Sequence, residues 1–138
     1  MAIDLHPTVA HVLEYSSNDP VRREPEYRYT KELNLLEHPY YNSGVLYFKK
    51  SKKIERLFRA WHSEWQKFGA EDQLALVRAL ASQRVKVAEL PYVWNARPRA
   101  FHSIAEAQEK GVNILHFLSR QRGLMESFGV LNFTGGKQ

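Results

Sequence analysis

The chain has 138 residues, 43% apolar and 25% charged, which fits one ordinary folded domain and excludes a disordered polymer. No apolar run approaches the roughly 20 residues that cross a bilayer, and there is no cysteine. Transmembrane proteins, disulfide scaffolds, zinc-thiolate sites and cysteine nucleophiles therefore drop out.

Twenty Lys+Arg against 15 Asp+Glu leave a formal +5, a balance suited to nucleic acid, phosphorylated ligands or an anionic surface. The opening stretch MAIDLHPTVAHVLEY has neither a basic leader nor an apolar centre, so it does not read as a signal peptide. Together with the missing cysteines this points to the cytoplasm. Pro7 to Tyr15 reads as a strand, with a short helix as the competing assignment, because its apolar alternation is imperfect. Ser16 to Pro39 is polar and proline-interrupted and reads as a long loop, with at most one helical turn near Lys31 to Glu37.

From Tyr40 the signals sharpen. Val45-Leu46-Tyr47-Phe48, bounded by Asn42-Ser43-Gly44 and Lys49-Lys50, reads as a strand buried on both faces. Ser51 caps a helix whose stripe is Ile54, Leu57, Phe58, Trp61, Trp65 and Phe68, with Gly69 at its end. A second helix spans about Glu71 to Ser82, with Leu74, Val77, Leu80 and Ala81 inward. Arg84 to Leu90 reads as a strand, and Ser103 with Glu106 as a capping box opening a short helix that stops at Gly111. Val112 to Leu118 is the last strand before a tail. The expected organisation is a single domain over 1–138: an irregular segment 1–40, a core 41–118 and a tail 119–138. The expected fold class is α/β, a small mixed sheet with helices packed on it.

The ordered series YYNSGVLYFKK, a helix ending W-x-x-x-W-x-x-F-G, EDQLAL, VKVAELPYVWNAR and ILHF resembles the C-terminal, acceptor-side half of GT-A glycosyltransferases, glycogenin-like and galactosyltransferase-like. The resemblance covers about Tyr40 to Phe117. It implies sugar transfer from a nucleotide-diphosphate sugar to a carbohydrate acceptor. The donor-side Asp-x-Asp of that family is absent, so the chain reads as beginning after that region and as inactive in isolation. By the same resemblance Asn42, Ser43 and Gly44 edge the acceptor cleft, where a short amide suits hydroxyls and glycine allows close approach.

Asp72 and Gln73 correspond to an acid–amide pair implicated in catalysis, and a carboxylate there can stabilise an oxocarbenium or accept a hydroxyl proton. Glu71 and Asp72 also suit a first helical turn by charge alone. Asn95 borders the cleft, Arg97 is placed to meet phosphate, and His116 matches a ligand of Mn²⁺ (or Mg²⁺). The run after His116, Leu118-Ser119-Arg120-Gln121-Arg122, departs from the family pattern.

Two other classes stand beside the transferase reading. One is a non-catalytic module that binds carbohydrate or protein. The other is a basic nucleic-acid binder, which the Lys49 to Lys53 cluster disfavours because no aromatic interleaves it. A sheet lacking its neighbouring strands leaves an open edge, so a homo-oligomer is expected.

Overall fold

The structure, a computed structural model, describes residues 7–15, 20–117 and 122–128. The chain divides into two compact units, Met1–Val87 and Ala88–Gln138. The first contains α1 (Val9–Tyr15), α2 (Pro20–Glu32), α3 (Lys52–Gln66) and α4 (Asp72–Gln83).

α3 forms for the reasons its sequence suggests. The Ser51 hydroxyl accepts the Ile54 N–H at 3.3 Å, satisfying one of the amides a helix start leaves open. Its end is closed by Gly69 at φ +62°, whose N–H reaches the Trp65 carbonyl at 2.8 Å. α3 packs on α4 through Leu57, Leu76, Ala79 and Leu80, flanked by Tyr41, Ile54, Ala60, Trp61 and Val85. A second cluster joins α1 to α4 through Val9, Leu74 and Val77, with Leu35, Leu36 and Tyr40 against it. Burial runs without a break from Leu74 to Leu80, so α4 is the central helix of this unit.

One of those buried residues is a cation. Arg78, 2% exposed, donates to the Glu26 carboxylate at 2.7 Å, the Glu64 carboxylate at 2.9 Å and the Thr30 hydroxyl at 3.0 Å. Its guanidinium also lies against the rings of Tyr29 and Phe68. A buried charge persists only when paired and fully hydrogen-bonded, and this one recruits α2 to do so. Burial pushes the Glu26 carboxyl up, and Arg78 partly offsets that push.

The second unit is built from short pieces: 3₁₀ turns at Tyr92–Trp94 and Pro98–Ala100, α5 (Ile104–Glu109) and α6 (Arg122–Ser127). Its core is Ala96, Phe101 and Ala107, with Val112, Leu115 and Phe128 against them. The Ser103 hydroxyl accepts the Glu106 N–H at 3.1 Å, and the Glu106 carboxylate accepts from the His102 N–H at 2.7 Å. α5 is followed by Gly111 at φ +74°.

The expected α/β fold is not what the chain adopts. Among the described residues there is no strand and no sheet, only isolated bridges between Thr8 and Pro39 and between Ala96 and Leu115. Val45 lies at a bend and Leu46 to Phe48 carry no regular structure, and Leu46, Tyr47 and Phe48 are 43%, 88% and 51% exposed. Arg84 to Leu90 is likewise irregular, and the described part of Val112 to Leu118 contributes one bridge. An apolar run makes a strand only when another backbone takes its N–H and C=O groups. The imperfect alternation of Pro7 to Tyr15 resolves as the helix α1, and most of the expected loop from Ser16 to Pro39 is α2. Among the described residues no helix is long and apolar enough to cross a membrane.

Candidate functional site

The N-terminal end of α4 meets the turn that follows Tyr40. Asn42 donates its side-chain amide to the Gln73 carbonyl oxygen at 3.0 Å, and the Ser43 N–H reaches the same oxygen at 3.2 Å. The Ser43 hydroxyl donates to the Asp72 carboxylate at 2.8 Å, and Gln73 donates to the Tyr40 hydroxyl at 3.0 Å. The Gly44 N–H closes the turn on the Asn42 side-chain oxygen at 3.0 Å. Four residues singled out in sequence, two near 42 and two near 72, therefore form one polar cluster. Gly44 takes part as a backbone donor; the described glycines at positive φ are Gly69 and Gly111.

The cluster is held from behind. Glu71, which precedes α4, pairs with Arg23 of α2 and accepts from the Tyr40 hydroxyl at 3.4 Å. Its N–H donates to Glu26 at 3.1 Å, so the carboxylate that neutralises Arg78 also positions the start of α4. Trp61 of α3 donates its indole N–H to the Asp72 carbonyl at 2.7 Å. Burial, then the Glu71 charge, push the Tyr40 hydroxyl well above the usual phenol range. It stays protonated, a donor to Glu71 and an acceptor from Gln73. The Asp72 carboxylate is on the exposed side. An anion there is favoured by the helix N-terminus, and with neighbouring hydroxyl and amide groups it can accept and orient ligand hydroxyls.

In the second unit Asn95 and His116 come together. The Ala96 N–H bonds the Ile114 carbonyl at 3.0 Å and the His116 N–H bonds the Ala96 carbonyl at 2.9 Å, which brings the two side chains alongside. His116 Nδ1 lies 2.9 Å from the Asn95 carbonyl oxygen, so Nδ1 carries the proton and Nε2 the lone pair. Burial, with the positive charge of Arg97, holds this imidazole below its ordinary value, so it is neutral at pH 7. Arg97 and Arg99 are exposed on either side of Pro98, while Arg120 lies outside the described residues. Among the described residues no three His, Cys, Asp or Glu side chains come together around a metal. Beside His116 stand the Asn95 amide and the positive charge of Arg97.

Glu26 on α2 was not singled out in sequence, Arg23 and Tyr40 were not read as site residues, and Glu71 was read only as a charge suited to a helix start. A signal was available: Arg78 interrupts an otherwise apolar stretch and required an acidic partner. Comparison with family models, with curated proteins and with solved structures finds no match to this chain.

Proposed function

We propose that the Asn42–Ser43–Asp72–Gln73 cluster is a carbohydrate-binding site, the acceptor side of a glycosyltransferase-like protein. The observation that supports this is that residues about 30 positions apart, selected by resemblance alone, lie in one hydrogen-bonded group. Amides, a hydroxyl and a carboxylate brought together by a helix start and the turn that meets it match the donors and acceptors of a sugar. Asp72 is the group that takes the proton of an acceptor hydroxyl, and Gln73 and Asn42 orient the ring. Transfer from a nucleotide-diphosphate sugar needs a donor site besides these residues, and no Asp-x-Asp is present to bind one.

Calorimetric titration with a panel of mono- and oligosaccharides tests the reading. Saturable binding weakened by Asn42→Ala and Asp72→Asn supports it, and a blank across the panel overturns it. A thermal shift with millimolar UDP-sugars and Mn²⁺ is expected to be flat, and a clear shift overturns the acceptor-only assignment. The same proposal places the protein in the cytoplasm. It also has the chain self-associate through the exposed Leu46, Tyr47 and Phe48.

A further inference from the structure

Phe58, Trp61, His62 and Trp65 line an open depression on the surface of α3. Their spacing at three, four and seven puts them along one face of the helix. Phe58 and Trp61 stack at 5.9 Å and 27°, and His62 and Trp65 at 6.3 Å and 24°, so the rings hold one another in place. The packing of α3 on α4 uses Leu57, Ile54 and one side of Trp61, but Trp65 keeps 41% of its surface in water. Large aromatic surface left exposed, with rings stacked on one another, marks a contact site.

Trp61 ties the depression to the polar cluster, because its indole N–H is bonded to the backbone carbonyl of Asp72. The Asp72 side chain in turn accepts from Ser43. Trp65 stands one helical turn beyond Trp61, a step of about 5.4 Å along the axis and comparable to the length of one sugar unit. A pyranose ring carries a face of C–H bonds and a rim of hydroxyls. It needs an aromatic face beside planar polar groups, which is the combination found here.

We propose that the Phe58–Trp65 depression holds a second sugar ring by stacking, so that the ligand is an oligosaccharide rather than a monosaccharide. This rests on the reading of the Asn42–Gln73 cluster as the carbohydrate site.

Titration with glucose, galactose and N-acetylglucosamine and with their di- and trisaccharides, read by calorimetry and tryptophan fluorescence, provides the test. Affinity is expected to rise about tenfold on adding the second unit. That gain disappears in Trp65→Ala and survives in Trp65→Phe, while monosaccharide binding is unchanged in both. The substitution is at an exposed position, and an unaltered melting temperature verifies the fold. Equal affinity for mono- and disaccharides, or a gain that persists in Trp65→Ala, overturns the inference and leaves the cluster as a one-ring site. Failure of every saccharide to bind overturns the carbohydrate reading itself, and the second subsite with it.

Discussion

Arg78 shows how a single buried charge organises its surroundings. Removing the guanidinium leaves Glu26, itself 1% exposed, without its counterion. Arg78→Ala is therefore expected to cost about 3–5 kcal/mol in urea denaturation, with an unchanged slope. Arg78→Lys recovers only part, because an ammonium cannot reproduce the fork that spans Glu26, Glu64 and Thr30. A loss below about 1 kcal/mol, the level of a surface ion pair, refutes this account. His116 gives a pH dependence of opposite cause. Unfolded, its imidazole takes a proton near pH 6.5; folded, burial and Arg97 delay that protonation to lower pH. Between the two values the unfolded chain binds more protons, so stability is fully present above pH 6.5 and falls as pH drops through the folded value. His116→Gln is expected to flatten the decline between neutral and mildly acidic pH in parallel melting curves, and identical slopes in the two proteins refute it.

At the scale of elements, the helix ends of α3 carry measurable stability. Ser51→Ala removes the acceptor for the Ile54 N–H and is expected to cost about 1 kcal/mol. Gly69→Ala forces a β-carbon onto φ +62° and is expected to cost about 1–2 kcal/mol, with Gly69→Asn milder. Open space surrounds that position, so the cost is conformational rather than steric. Chemical denaturation of the two variants checks both figures. α2 illustrates why one helix escaped a reading by hydrophobic stripe. Its inward residues are Glu26, Thr30 and the ring of Tyr29, and Pro25 stands inside it. Its local signals are Pro20 as the first helical residue and the Glu24–Arg28 pair one turn apart at 2.6 Å.

For the whole molecule, the division into Met1–Val87 and Ala88–Gln138 has its own consequence. The first unit contains the α3–α4 and α1–α4 clusters and the Arg78 network, a core that closes on itself. A chain of residues 1–87 is expected to unfold cooperatively by itself, and a gradual, non-cooperative melt refutes that. Tyr47 is 88% exposed, so Tyr47→Lys is expected to leave stability within about 0.5 kcal/mol while shifting the light-scattering mass to that of a monomer. A wild-type mass near 16 kDa across a dilution series overturns the oligomer.

Local rules determined what local interactions can determine. The caps at Ser51 and Ser103 and the terminating Gly69 and Gly111 follow from bonds within a few residues of chain, whereas the expected inward stripe of α3 leaves Trp65 exposed and burial on α4 runs all round rather than along one stripe. The polar cluster at Asn42 and Gln73 was approached only through a resemblance, since no periodicity links positions 31 apart. Strand formation, by contrast, depends on a neighbour that the strand's own residues do not encode. Val45 to Phe48 has the composition of a buried strand, yet Leu46, Tyr47 and Phe48 lie exposed because no second backbone pairs with the segment among the described residues. The helix α2 was decided the same way in reverse, its polar face made an interior one by a single arginine on α4. Which polar groups face inward is set by their partners across the fold, and those partners exist only once the chain has folded.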